Sequence, residues 1–249
     1  MSIDGSGQIY QTLITNDGSK SVLLLYQSVT KFRGQTLLVF QMVTEEHDAY
    51  TSQYTLRGFL RLGAPSPDQV VTDDSEALLL ATTLAFKDRR LEAYFETCFI
   101  QASSSEKISD NICIIRIDIA YLIHAVTKWA CFSGVSPATE YFFVRCIGLL
   151  TSVQTILELR ELCTHIFQMS LTQRKLTQPS ESGNYPNGYF CPEFGTRLMT
   201  YSKRLMCWTT IMPYLFYGNN KEKFNESCVS TSARSESYFR ALKISVLQR

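Results

Sequence analysis

The stretch "PSPDQVVTDDSEALLLATTLAF" (residues 65–86) decides how the chain folds. Its first half is punctuated by two prolines and then runs into "DQVVTD" (68–73), a short apolar, β-branched run that reads as a buried strand. Its second half, "DSEALLLATTLAF" (74–86), is rich in helix formers and opens on acidic residues that suit the dipole of a helix N-terminus. A strand that passes straight into a helix is the repeating unit of an open α/β sheet. Such sheets collect their chemistry at the C-terminal ends of the strands, where Asp73 stands. Asp73 and Asp74 are also both competent helix N-caps, and that simpler role has to be weighed against a chemical one.

Upstream, "MSID" and "QIYQTLI" (8–14) read as strands joined by a turn at "DGSG" (4–7). "SVLLLYQSV" (21–29) and "QTLLVFQMV" (35–43) read as a further β pair around a polar, glycine-containing turn. "TEEHDAYTSQYTLRGFLRLG" (44–63) then changes to helical spacing, with Tyr54, Phe59 and Leu62 recurring on one side and Gly63 and Pro65 ending it. The acidic "EEHD" (45–48) is read as the entry to that helix, not as a metal cluster.

Downstream, "LEAYFETCFI" (91–100) fits helix or strand. "NICIIRID" (111–118) is a strand, and "IAYLIHAVTKWACF" (119–132) continues it as a helix with Leu122, Val126 and Trp129 toward a core. Helical spacing dominates 138–176 and 196–216, with a Pro/Gly/Ser/Asn-rich loop between them and a polar loop over 217–232. An amphipathic helix, "SCVSTSARSESYFRALKISVL" (227–247), comes last. Early antiparallel strands followed by strand–helix units describe an α/β fold with a mixed central sheet flanked by helices. The expected organisation is a core over 1–132, a mostly helical insertion over 133–226, and a final core helix over 227–249.

Bulk properties bound the function without naming it. With 249 residues, 45% hydrophobic and 19% charged, the chain belongs with folded proteins. A net charge of +1 gives no global field for nucleic acid, so any such binding needs a local basic patch. The eight cysteines are scattered without a C-x-x-C pair, and the three histidines lie in unrelated segments. Buried, reduced thiols are expected, and a zinc site is not. The N-terminus lacks the basic and apolar regions of a signal peptide, and no apolar run is long enough for a membrane span. A nuclear or cytosolic protein is expected.

Three acids draw attention as a set: Asp4 on the first strand, Asp73 after a later one, and Glu236 one turn inside the closing helix. Hard divalent cations take oxygen ligands, and carboxylates from separate parts of a chain can hold a pair of ions for phosphoryl transfer. The segments "SIDGSGQIY", "GAPSPDQVVTDDSEALLLATTLAF", "CIIRIDIAYLIHAVTKW" and "STSARSESYFRALK" resemble the catalytic core of a DDE-type transposase with the RNase H-like fold, in particular the Mutator-like type and its transposase-derived relatives. The likeness rests most on the "P-x-x-V-V-x-D-x-S-x-A-L" phrase of Pro67 to Leu78 and the "S-x-x-x-E-x-x-F-x-x-L-K" phrase containing Glu236, Phe239, Leu242 and Lys243.

The resemblance implies a large helical insertion before the last helix and assigns the catalytic, metal-holding acids to Asp4, Asp73 and Glu236. Mg²⁺ or Mn²⁺ is the implied cofactor and DNA the implied partner. A nuclear location is implied, a homo-oligomer is allowed, and a membrane role is not. Arg234, Arg240 and Lys243, around Glu236, become candidate contacts to the DNA backbone. Where the family carries a D-x-x-H element, Asp118 is present, Tyr121 occupies the histidine's position, and His124 lies a turn further on. Against an active polynucleotidyl transferase stands a catalytically inactive, transposon-derived module that binds DNA or protein.

Overall fold

The structure, a computed structural model, describes residues 1–7, 13–14, 20–21, 24–33, 35–104, 113–173 and 186–228. Its strands are β1 (Ser2–Gly7), β2 (Leu13–Ile14), β3 (Lys20–Ser21), β4 (Leu24–Phe32), β5 (Gln35–Thr44), β6 (Gln69–Thr72) and β7 (Ile114–Ile117). Its α-helices are α1 (Ala49–Arg61), α2 (Glu76–Lys87), α3 (Leu91–Ser103), α4 (Ile119–Thr127), α5 (Pro137–Thr151), α6 (Ile156–Leu171), α7 (Pro192–Tyr201), α8 (Leu205–Trp208), α9 (Ile211–Tyr217) and α10 (Lys221–Cys228). The chain divides into two compact units. One takes in the described residues of Met1–Thr97, Lys107–Asp118 and Asn225–Arg249, the other those of Cys98–Glu106 and Ile119–Phe224.

The first unit is built on a five-stranded mixed sheet in the order β5-β4-β1-β6-β7. β5, β4 and β1 form an antiparallel meander, while β6 and β7 extend it in parallel. The expected α/β fold with a mixed, helix-flanked sheet is therefore present. β6 and β7 carry Val70, Val71, Ile114, Ile115 and Ile117, all buried, as parallel strands sealed on both faces require. The register of β1 and β6 pairs Ser2 with Val71, and that of β6 and β7 pairs Val71 with Arg116.

One face of this sheet is packed by α1 and α2. Ile3, Tyr26, Phe40 and Met42 meet Ser52, Thr55, Leu56 and Leu78 around a small hollow on that side. Ser75 caps α2, its Oγ accepting from the Leu78 N–H at 3.4 Å, so neither Asp73 nor Asp74 is the cap. Asp48 caps α1, accepting from the N–H groups of Tyr50 and Thr51 at 2.7 and 2.9 Å. The "EEHD" stretch thus leads into a helix, as its composition suggests.

Several local expectations are corrected. The "DGSG" turn is strand, because β1 runs through Gly7 and pairs Gly5 with Tyr26 and Ser6 with Leu25. Asp4 is therefore mid-strand and not at a strand end. α1 turns Ala49, Ser52 and Leu56 inward and leaves Tyr54, and Leu62 just past its end, exposed. "LEAYFETCFI" is helical as α3, and the polar loop over 217–232 contains α10.

The second unit is helical. Its core is aromatic: Phe143 stacks on Phe194 at 4.1 Å between ring centres, and Phe132 and Trp129 close on Phe194 at 5.7 and 6.0 Å. Trp129 is buried, with Arg197 over its ring at 5.6 Å, and Leu122 and Val126 are buried beside it in sequence, as the spacing predicts. All eight cysteines are free thiols, five of them buried, and burial pushes Cys113 up to about 12. Among the described residues, no helix is long and apolar enough to cross a membrane.

Gly5 is tied to its partner strand by shape. A Cβ there would stand 2.6 Å from the Tyr26 ring, which lies across the strand beside Asp4. Gly5→Ala should cost about 1–3 kcal/mol in urea unfolding. Most of that loss should return in a Tyr26→Leu background, where the obstructing ring is gone.

Candidate functional site

The register brings the acids of the sheet unit together. From the paired Ser2 and Val71, two further residues along each parallel strand reach Asp4 and Asp73. From Val71 and Arg116 the same two steps reach Asp73 and Asp118. The ladder continues to that level, since the Asp118 N–H donates to the Thr72 carbonyl at 2.8 Å. By that register Asp4, on β1, and Asp73 and Asp118, each one residue past the end of its strand, come toward one level of the sheet. Asp4 and Asp118 are buried, and Asp73 is half-buried.

This crowding has an electrostatic signature. Burial raises the Asp73 carboxyl above the usual carboxylate range, and the charges of Asp74 and Asp118 push the same way. The Ser75 N–H, donating to Asp73 Oδ1 at 3.0 Å, and His47 both oppose that rise. A site that gathers carboxylates while desolvating them is suited to a cation, which would relieve both penalties. Carboxylate oxygens are hard donors, the kind Mg²⁺ and Mn²⁺ take. These acids are not themselves a complete centre: among the described residues no group of three or more His, Cys, Asp or Glu is arranged to hold a metal ion.

The third acid expected from the sequence, Glu236, lies outside the described residues, as do Arg234, Arg240 and Lys243. What is described is the point from which the chain leads to them. Strand alternation places Ser2, Asp4, Gln69, Val71 and Arg116 on one face, opposite the one packed by α1 and α2. There the Ser227 carbonyl accepts from Gln69 Nε2 at 3.1 Å and from the fully buried Arg116 at 2.9 Å. The end of α10 is thereby held on the face that carries Asp4. His124, by contrast, is an exposed residue of α4 in the helical unit.

One participant was not legible as such in the sequence. His47, just ahead of α1, meets Tyr26 Oη through Nδ1 and Ser75 Oγ through Nε2, the latter at 3.1 Å. Its ring lies nearly parallel to Tyr26, at 9°. The only cue was a histidine inside an acidic helix entry, which ordinary capping explains equally well.

No family model matches the chain. A curated relative, the 120.7 kDa protein in the NOF-FB transposable element of Drosophila melanogaster, is 32% identical over 173 residues, which is 70% of this chain and 16% of that protein. The chain therefore spans about 16% of the length of the curated relative it matches. That similarity gives the chain a transposable-element origin.

Because Asp73 is harder to ionise in the folded protein than in the unfolded chain, its ionisation opposes folding. The penalty is absent below the usual carboxylate range, grows as pH rises through it, and is complete above the raised folded value. Asp73→Asn keeps the acceptor for Ser75 and removes the charge. In the absence of divalent ions it should raise the melting temperature by a few degrees at pH 7, and the gain should vanish near pH 3 (about one unit below the ordinary Asp value).

Proposed function

We propose that the chain is the catalytic part of a DDE-type, RNase H-like transposase that cleaves and transfers DNA strands. In this reading Asp4, Asp73 and Glu236 hold Mg²⁺ or Mn²⁺, and residues 133–226 form a helical insertion between the core and its last helix. The observation that carries it is the β1–β6 register, which brings Asp4 and, one residue beyond β6, Asp73 toward the same level, with Asp73 raised by its buried, acidic surroundings. The mixed sheet, with an antiparallel meander extended by parallel strands, agrees with the core that the resemblance implies. The anchoring of Ser227 beside these strands supports Glu236, nine positions later in the sequence, as the third ligand. The similarity to a protein of a transposable element supports a transposon-derived origin, which such an activity would fit.

Divalent ions bound there supply charge neutralisation for an in-line displacement at phosphorus. The protein's own share is positional. Asp4 stands on hydrogen-bonded β1 and Asp73 directly follows β6, so little reorganisation is needed when the phosphate arrives. The Asp73–Ser75 turn holds one Asp73 oxygen through a backbone N–H. Arg234, Arg240 and Lys243, flanking Glu236 in sequence, would contact the DNA backbone, and the nucleus is the expected compartment.

The test is a nicking and strand-transfer assay with Mg²⁺ or Mn²⁺ on DNA carrying the ends of the parent element. The wild-type chain should nick, and Asp4→Asn, Asp73→Asn and Glu236→Gln should each lower the rate by at least 10³-fold, roughly the loss of a major electrostatic contributor. Activity that survives Asp73→Asn would refute the assignment. DNA binding by a wild-type chain that never nicks would favour the inactive, transposon-derived binding module instead.

A further inference from the structure

β1, which carries Asp4, and the residues after β6 that include Asp73 are linked a second time, through side chains that start from Tyr26 on β4. The Tyr26 ring lies over Gly5, the residue after Asp4, in the space a Cβ would take. Its hydroxyl meets Nδ1 of His47. The other ring nitrogen, Nε2, meets Ser75 Oγ at 3.1 Å, and the Ser75 N–H holds Asp73 Oδ1 at 3.0 Å. Gly5, Tyr26, His47, Ser75 and Asp73 thus form one connected path between the two acids.

One placement of protons satisfies every group along this path. Burial, with Asp73 and Asp48 adding to it, pushes the Tyr26 phenol up to about 12, so it stays protonated and is able to donate to Nδ1. In the tautomer whose Nδ1 accepts, the ring carries its proton on Nε2 and donates to Ser75 Oγ. That oxygen already accepts from the Leu78 N–H as the cap of α2, so its second lone pair takes the histidine. The first turn of α2, the Asp73 carboxylate and the β4 phenol are therefore set against one another by a single ring.

Resting on the functional reading above, we infer that His47 is a positioning residue for the metal-holding carboxylates. It fixes the Asp73–Ser75 turn against the strand that carries Asp4. His47 touches neither acid in a way that would make it a ligand, and it acts through Ser75 and Tyr26. Groups that orient ligating carboxylates in this way commonly change metal affinity by 10–100-fold when removed.

The experiment is a calorimetric titration of the full chain with Mn²⁺ alone, for wild type, His47→Ala, His47→Gln, Tyr26→Phe and Asp73→Asn, with the melting temperature of each. His47→Ala should weaken Mn²⁺ binding about tenfold. His47→Gln retains an amide donor for Ser75 and should recover most of that affinity. Tyr26→Phe keeps the ring over Gly5 and removes only the hydroxyl. It should weaken binding several-fold, and it carries the test if His47→Ala does not fold. Binding within twofold of wild type in folded His47→Ala or Tyr26→Phe would overturn the inference. So would equal losses in the Ala and Gln variants that merely track their melting temperatures. If Asp73→Asn binds Mn²⁺ as tightly as wild type, the metal-site reading itself fails, and the inference with it.

Discussion

The structure of the sheet unit depends on one register. Ser2, Val71 and Arg116 stand side by side on β1, β6 and β7, and everything chemical about this unit follows from that alignment. Side chains alternate along a strand, so a slip of one residue between β1 and β6 would move Asp4 to the face packed by α1 and α2. The register resists such a slip because each strand has apolar residues that must stay buried. Ile3 has to meet the α1–α2 side, and Val70 and Val71 seal both faces of β6. Burial of a few aliphatic side chains thereby decides where the carboxylates stand.

The same register sets the place of Arg116. A fully buried guanidinium is costly unless it is hydrogen-bonded, and here it donates to the Ser227 carbonyl together with Gln69. The arrangement reaches more than a hundred residues along the chain, from β7 to the end of α10. It also explains how a chain with a long helical excursion between β7 and its end can return to the sheet at a defined point. The helical unit needs no such device, because the stacking of Phe143, Phe194, Phe132 and Trp129 gives it a core of its own.

His47 shows how a short polar path can serve both stability and chemistry. Its contacts to Tyr26 and Ser75 satisfy a phenol and a helix cap, which is structural work. They also join the segment holding Asp73 to the strand holding Asp4. Nothing in the local sequence separates the two roles, because an acidic entry to a helix with a capping aspartate accounts for "EEHD" completely.

Much of the secondary structure was legible from local pattern alone. The strand–acid–helix passage around Asp73, the β pair over 21–43 and the buried side of 119–132 followed from periodicity and punctuation, because those signals are local. Misreadings arose where local and tertiary preferences conflict. Small residues in "DGSG" suggested a turn, yet Gly5 is small because the Tyr26 ring crosses it. The exposed Tyr54 and Leu62 looked like an apolar stripe, yet α1 buries Ala49, Ser52 and Leu56 instead. The sequence by itself determined that Asp4 and Asp73 are acids set in β-rich segments, and that a third acid follows late. Only the tertiary structure decided that β1, β6 and β7 bring Asp4, Asp73 and Asp118 toward one level, and that His47 joins Tyr26 to the Ser75 that holds Asp73. Such adjacency comes from the register between strands, which no local run of residues encodes.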